Sequence, residues 1–211
     1  MATNRHGPRP WAAAPVALAL LLVSRPCALA SDGPSPPAAH PAAAELTRPG
    51  ASVLMVTNEA ALTCQDAARF GDVNGAGVDQ CTLALQSSGL SQRDLAALHT
   101  NRGAIRLQHR QWAEAKDDFD AALKADPDVA DAYVDRGAAL LGLHKYAEAI
   151  ADIDRGLALG PDLPEKAYFN RAIADEHLDD MKAAYQDYLK ASQLAPNWDA
   201  PKAELARFVV Q

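Results

Sequence analysis

The amino-acid sequence predicts an all-α fold, a solenoid of antiparallel helix pairs. Three similar stretches, Asn101-Arg102-Gly103, Asp135-Arg136-Gly137 and Asn170-Arg171-Ala172, follow one another at intervals of 34 and 35 residues. Each stretch is followed, at identical offsets, by the same pattern of small and large apolar residues and then by a proline. A fixed period of this length is typical of stacked helix hairpins, since no single hairpin can bury its own apolar face.

Each unit is predicted to contain a first helix, a short turn, a second helix and a stop. Small residues in both helices let the two backbones approach closely, and one large side chain fills the space between them. A proline then ends the unit because it lacks an amide hydrogen and restricts the residue before it. The first-helix positions are Gly103, Gly137 and Ala172, the second-helix positions are Ala115, Phe119, Ala122, Ala149, Ile153, Gly156, Ala184, Tyr188 and Ala191, and the prolines are Pro127, Pro161 and Pro196.

This motif, together with the aromatic residues Trp112 and Tyr146, resembles the tetratricopeptide repeat (TPR) family over most of the chain after residue 57. The resemblance implies a right-handed solenoid with repeats at 96–129, 130–163 and 165–198. A helix at 199–211 is expected to cap the last repeat, with Asp199 as its N-cap and Pro201 in its first turn. Such a terminal helix covers apolar surface that no further repeat would bury.

One feature departs from the family pattern. An arginine occupies a first-helix position that is usually apolar in the family, and an aspartate follows it 16 residues later in every unit. We expect each arginine to pair with its aspartate across the hairpin; the alternative is that all six side chains are separately solvated. Surface pairs contribute only about 0–1 kcal/mol each. The expected pairs are Arg102 with Asp118, Arg136 with Asp152, and Arg171 with Asp187.

A fourth, degenerate repeat is expected at residues 58–91. Cys64 and Cys81 are 17 residues apart, which is also the spacing from Arg102 to Phe119. If Ala84 corresponds to Ala122, the two cysteines face each other on the two helices of this repeat. Facing positions bring the Cα atoms within the ~4.4–6.8 Å that a disulfide requires. We therefore expect a disulfide, provided that the protein reaches an oxidising compartment.

The N-terminus predicts export. Arg5 and Arg9 precede a short apolar run at Val16–Val23, and Ala28-Leu29-Ala30 forms a small-residue cleavage site. This arrangement is typical of a secretory signal peptide, here residues 1–30, and the run is shorter than the ~20 residues that span a bilayer. An uncleaved anchor is the alternative. Residues 31–57 are rich in proline and alanine and are expected to form a disordered linker.

Charge and composition limit the function. Removal of residues 1–30 leaves 17 basic against 27 acidic residues, so nucleic acid and anionic lipid are poor partners. The sequence holds no phosphate-binding loop or nucleophile elbow, and no metal or cofactor is expected. The abundant alanine suggests a bacterial source and thus the periplasm, with secretion as the alternative. No stable membrane insertion is expected after cleavage, and the oligomeric state stays open.

What remains is a non-enzymatic adaptor or scaffold. In the family, first helices line a concave groove that holds a peptide or protein segment, and the resemblance places twelve residues of this chain there. The family's carboxylate clamp needs Lys and Asn where this chain has other residues, so a C-terminal carboxylate ligand is not expected. The groove residues are Thr100, Asn101, Ala104, Leu107, Val134, Asp135, Ala138, Leu141, Phe169, Asn170, Ile173 and Glu176. The alternative is that the small residues among them only pack the solenoid and that the partner binds elsewhere.

Two alternatives remain open at this stage. The chain could be an accessory subunit of a cell-envelope assembly complex, bound through its outer face or its C-terminal helix. It could also be an enzyme or a ligand-binding domain whose site lies in the degenerate first repeat.

Overall fold

The computed structural model describes the backbone of residues 51–208 and the side chains of residues 59–208. All regular structure in this part of the chain is α-helical, and the predicted all-α repeat fold is confirmed. The predicted signal peptide and the linker up to residue 50 lie outside the described residues. The helices are α1 (Ala51–Phe70), α2 (Gly77–Leu85), α3 (Gln92–Gln108), α4 (Trp112–Ala125), α5 (Ala130–Gly142), α6 (Tyr146–Leu159), α7 (Pro164–His177), α8 (Met181–Leu194) and α9 (Asp199–Leu205).

The helices form four consecutive hairpins, α1–α2, α3–α4, α5–α6 and α7–α8, followed by α9. The second helix of each hairpin also packs against the first helix of the next. In addition, the first helices contact one another, α1 with α3, α3 with α5 and α5 with α7. The first helices therefore form the inner layer of the solenoid and the second helices the outer layer.

Close backbone approach within the hairpins explains their small residues. A Cβ atom on Gly103 would lie 2.7 Å from Cε1 of Phe119, and one on Gly137 would lie 2.5 Å from Cγ1 of Ile153. Phe119 and Ile153 are completely buried. The large side chain of the second helix thus fills the volume that a glycine in the first helix leaves free.

Local signals set several helix ends. Ser91 caps α3 with a reciprocal Ser91–Asp94 capping box, which starts this helix at Gln92, four residues before the predicted start of the repeat at residue 96. At the other end of the chain, Trp198 is the N-cap of α9 and Asp199 is its first residue, so the expected Asp199 cap is wrong. An acidic residue in the first turn is still favoured by the helix dipole.

Both terminal boundaries differ from the expected ones. α1 begins at Ala51, so residues 51–57, which were expected to belong to the linker, are helical. No glycine or proline interrupts the chain between Gly50 and Gly71, which allows the helix to extend upstream. α9 ends at Leu205 instead of continuing to residue 211, and residues 209–211 lie outside the described part. Within the described residues, no helix is long and apolar enough to span a bilayer.

Candidate functional site

The three repeated arginines pair with the aspartates 16 residues further on, as the spacing predicts. Arg136 donates from Nε to Asp152 Oδ2 at 2.6 Å and from Nη2 to Asp152 Oδ1 at 2.7 Å. Arg171 makes the equivalent two hydrogen bonds to Asp187. Arg102 binds Asp118 in the first of these three repeats, also with more than one nitrogen. Such bidentate contacts fix the geometry of each hairpin more strictly than a single ion pair does.

Each arginine also reaches the preceding repeat, a contact that the sequence analysis missed. Arg136 Nη1 lies 2.7 Å from Asp120 Oδ1 on α4, and Arg171 Nη1 binds Asp154 on α6. Arg102 Nη1 donates to Thr82 Oγ1 on α2 at 3.0 Å. Each arginine therefore joins its own hairpin to the second helix of the preceding hairpin.

The sequence contained a signal for this second contact. α4 carries Asp118 and Asp120, and α6 carries Asp152 and Asp154. The first aspartate of each pair serves its own hairpin and the second serves the next one.

Electrostatics at these pairs reflects partial burial. Burial alone would raise the pKa of Asp118, but hydrogen bonds from His99 and Arg102 and the charge of Arg106 hold this pKa below its ordinary value. The hydrogen bonds and charge of Asp152 raise the pKa of Arg136, against the effect of burial. These groups are thus charged and mutually neutralised at neutral pH, which suits a structural role rather than proton transfer.

Most of the predicted groove side chains are interior packing residues. Eleven of the twelve are buried, and the apolar ones belong to clusters of buried residues between the helices. Their assignment to an open groove surface is therefore corrected, because small and apolar side chains on first helices are needed to stack the hairpins. These packing residues are Ala104, Leu107, Val134, Ala138, Leu141, Phe169 and Ile173.

Four predicted groove residues are polar and buried, and three of them occupy the same repeat position. Each of these three directly precedes the repeated arginine on an inner helix. They are Asn101 on α3, Asp135 on α5 and Asn170 on α7. We call these three residues the polar column. Thr100 lies next to its first member. Buried polar groups in this number are uncommon unless they are hydrogen-bonded.

Asn101 stands out within the column. Its side chain is 0% exposed, and in the part of the chain that the structure describes neither Oδ1 nor Nδ2 has a hydrogen-bond partner. The Oγ1 atom of Thr100 is likewise buried without a partner there. The side-chain amide of Asn101 and the hydroxyl of Thr100 can therefore still form hydrogen bonds with a group that does not belong to these residues.

The last predicted groove residue, Glu176, is only half-buried and is already engaged. Tyr188 Oη donates to Glu176 Oε2 at 3.1 Å, and Arg207, just after α9, forms an ion pair with Glu176. This carboxylate ties the C-terminal segment to the last repeat, so it is not part of the polar column.

The degenerate first repeat is closed by a disulfide between Cys64 and Cys81, whose Cα atoms are 4.8 Å apart. Both cysteines are completely buried. Gln108 Nε2 donates to Ala68 O at 3.1 Å, and His109 Nε2 lies 3.1 Å from Asp72 Oδ2, so α3 holds the repeat as well. Within the described residues, no group of His, Cys, Asp or Glu is arranged to hold a metal ion.

In the part of the chain that the structure describes, two of the surface cavities are shallow and are lined by residues outside α1 and α2. One, of about 230 Å³, is lined by Asp154, Arg171, Asp175 and Asp187 together with apolar residues. Burial raises the pKa of Asp175 to about 6, with a further contribution from the charge of Asp187. The other cavity is lined by His99, Lys124 and Gln92 together with apolar residues.

No family model and no curated protein matches the sequence. Several solved structures resemble the fold. The Arabidopsis OM64 TPR domain is 25% identical, with a TM-score of 0.54 over 56% of this chain and 98% of that one. The first TPR of Spaghetti (RPAP3), solved with the HSP90 peptide SRMEEVD, is 26% identical with a TM-score of 0.51, covering 57% and 94%. MamA from Desulfovibrio magneticus RS-1 is 19% identical with a TM-score of 0.58, covering 71% and 81%, and supports the fold alone.

Proposed function

We propose that this chain, which has the fold of tetratricopeptide repeat domains, is a non-enzymatic adaptor that holds an extended segment of a protein partner against its inner helices. The observation that carries the proposal is the side chain of Asn101, buried on the inner layer with neither polar atom hydrogen-bonded in the described part of the chain. Such an amide costs about 1–3 kcal/mol of stability. That cost is offset when a partner forms hydrogen bonds with both polar atoms of the amide.

The chemistry of Asn101 favours main-chain recognition. A carboxamide offers one acceptor and two donors, which match the amide hydrogen and the carbonyl oxygen of an extended peptide. Thr100 adds a hydroxyl beside it. Because both side chains are covered in the structure, access requires the rotamer changes at neighbouring side chains that commonly accompany binding.

The residues around the polar column also limit the class of segment. The Spaghetti TPR domain is bound to an HSP90 peptide. In this chain the positions that a carboxylate clamp fills with Lys and Asn include Thr100, Val134 and Phe169, whose buried side chains carry no positive charge for a C-terminal carboxylate. We therefore assign an internal segment of the partner, rather than a free C-terminus, to the inner face.

The proposed compartment is the periplasm. The basic residues, the apolar run and the Ala-x-Ala site of residues 1–30 support export. The Cys64–Cys81 disulfide supports an oxidising compartment. Expression with and without residues 1–30, followed by fractionation of the cells, tests the assignment: protein that stays in the cytoplasm with the segment present would contradict it.

The function is tested with an Asn101→Leu variant. Leucine removes the unpaired amide at similar volume, so this variant should be at least as stable as the natural protein but should lose its partner. The measurement is in-cell crosslinking with mass spectrometry, combined with a thermal melt of each purified protein. The matched control is Asn197→Leu, because Asn197 is exposed beyond α8.

The two measurements separate folding from binding. Loss of the same crosslinked partner from Asn101→Leu, at unchanged or raised melting temperature, supports the proposal. Retention of that partner by Asn101→Leu contradicts it. Phe169→Asp and Ile173→Asp are unsuitable tests, since both residues are buried and their substitution would unfold the last repeat.

A further inference from the structure

One contact recurs between consecutive hairpins. The last residue of a first helix contacts the first residue of the preceding second helix. Gly142, which ends α5, lies so close to Trp112, which begins α4, that an added Cβ would be 2.4 Å from the indole ring. His177, which ends α7, stacks on Tyr146, which begins α6, with ring centroids 4.3 Å apart.

At each end of the solenoid, one residue at these two positions has no such contact with another described residue. Phe70 is the last residue of α1 and is 71% exposed. Met181 is the first residue of α8 and is 46% exposed. Phe70 and Met181 lie at opposite ends of the solenoid. Phe70 has the position that Gly142 and His177 have in the interior, and Met181 has the position of Trp112 and Tyr146.

Further apolar side chains extend each half. Val73 follows Phe70 and is largely exposed, and Leu178 and Tyr185 lie close to Met181 in the chain and are also exposed. Contiguous exposed apolar residues of this kind commonly mark interaction surfaces. We call Phe70 with Val73 the leading edge and Leu178 with Met181 and Tyr185 the trailing edge.

The charges beside the two edges are complementary. The guanidinium of Arg69 lies 5.2 Å from the ring centroid of Phe70. At the other end, Asp179 and Asp180 are exposed between Leu178 and Met181, and Lys182 is exposed directly after Met181. A basic group therefore flanks the leading edge, while two acidic groups outnumber one basic group at the trailing edge, which favours contact between unlike edges over contact between like edges.

Helix α9 leaves room for such a contact only at the N-terminal end of α8, next to the α7–α8 turn. α9 packs on α8 over Asp199–Leu205, and Phe208 approaches Tyr185 with ring centroids 5.8 Å apart. With seven residues it is half as long as α7, so the end of α8 that begins with Met181 stays exposed. A contact limited to these two turns should be weak, since stable interfaces bury roughly 1,200 Å² or more.

We infer that the trailing edge of one copy of this protein binds the leading edge of a second copy, so that the α1–α2 turn of one copy stacks against the α7–α8 turn of the next. This contact between two copies is of the same kind as the contact that the chain makes twice between its own hairpins. It is heterologous, so each copy keeps one free edge and the association continues into short linear chains as concentration rises.

Sedimentation velocity of the purified protein over a range of concentrations tests the inference. The natural protein should show a sedimentation coefficient that rises with concentration. Phe70→Ser and Met181→Asp should each lower the association constant about tenfold or more, as loss of a central apolar contact does. Leu194→Asp, at the far end of α8, is the matched control and should associate normally. Circular dichroism verifies that all variants are folded.

Mixing the two variants distinguishes the possible arrangements. Phe70→Ser retains an intact trailing edge and Met181→Asp an intact leading edge, so a mixture should form one-to-one dimers and nothing longer. The inference is overturned if the natural protein is monomeric at every concentration. It is also overturned if the mixture fails to associate, or if Phe70→Ser associates like the natural protein while Met181→Asp does not, which would indicate symmetric pairing of α8.

Discussion

Arg136 on α5 and Asp120 on α4 form an ion pair between consecutive hairpins, with Nη1 and Oδ1 2.7 Å apart. The same guanidinium holds Asp152 within its own hairpin. One side chain thus fixes both the angle between the two helices of a repeat and the register between two repeats. In a solenoid, stability is approximately a sum of repeat and nearest-neighbour terms, and Arg136 contributes to both.

Removal of this guanidinium should destabilise the protein more than an ordinary surface substitution. Arg136→Met keeps the aliphatic stem but removes the guanidinium from Asp152 and leaves Asp120 with Lys116 alone, and we expect a loss of about 1–3 kcal/mol in the free energy of unfolding. Denaturant unfolding measures this loss. Arg93→Met, at an exposed position in the first turn of α3, should change it by less than about 0.5 kcal/mol. Equal effects of the two substitutions would contradict the bridging role.

The disulfide should matter mainly for the first repeat. Cys64→Ala with Cys81→Ala opens a loop that, on the chain-entropy model, is worth roughly 3 kcal/mol. Hydrogen exchange should therefore accelerate in α1 and α2 and change little in α7 and α8, because interactions in a solenoid are between neighbours. Thiol labelling of the unfolded, unreduced protein should find no free thiol at these positions. Two labelled cysteines would show that the bridge is not formed in the cell.

The protonation of Asp175 should affect stability in an unusual direction. Its pKa is raised to about 6, chiefly by burial and then by the charge of Asp187. A carboxyl group whose pKa is higher in the folded state than in the unfolded state stabilises the fold when protonated, so this contribution is lost as pH rises from about 4 to about 6. Because the group is only partly buried and solvent screens its charge, we expect a loss of only about 1 kcal/mol or less.

Asp175→Asn tests this directly. The variant should be more stable than the natural protein at pH 7, and the difference should vanish below about pH 4, where both side chains are uncharged. Thermal melts at a series of pH values give the comparison, and Asp117→Asn, at an exposed position of α4, is the control. A variant that is less stable than the natural protein at pH 7 would show that the Asp175 carboxylate makes a favourable contact.

The repeat pattern sufficed for the helices and for the contacts within hairpins, because these depend on short, fixed spacings. The pairing of Arg102 with Asp118 and the facing placement of Cys64 and Cys81 follow from the period. The contacts between repeats were harder to predict. The partner of Arg136 on α4 depends on how two hairpins stack, and one sequence spacing is compatible with several stacking angles.

The inner face was predicted less well for a related reason. The resemblance placed the twelve residues on first helices, but helical periodicity does not separate a side chain that lines a groove from one that packs against the next helix. Leu107 and Phe169 are therefore interior, whereas Asn101 keeps two polar atoms unpaired within the described residues. Polarity at equivalent positions of successive first helices was the signal that distinguished the two groups.

Close approach at Gly137 gives the last prediction. A methyl group there would lie 2.5 Å from Ile153 Cγ1 and 3.2 Å from the carbonyl oxygen of Ala149, so Gly137→Ala should destabilise the protein by about 1–3 kcal/mol despite the better helix propensity of alanine. The last repeat already has Ala172 at this position, opposite Tyr188. A second substitution, Ile153→Ala, should make room for the added methyl group, so the cost of Gly137→Ala should fall clearly below its value beside isoleucine. Denaturant unfolding of the two single variants and the double variant completes the cycle, and strict additivity of the two changes would mean that the close contact with Ile153 is not what excludes alanine.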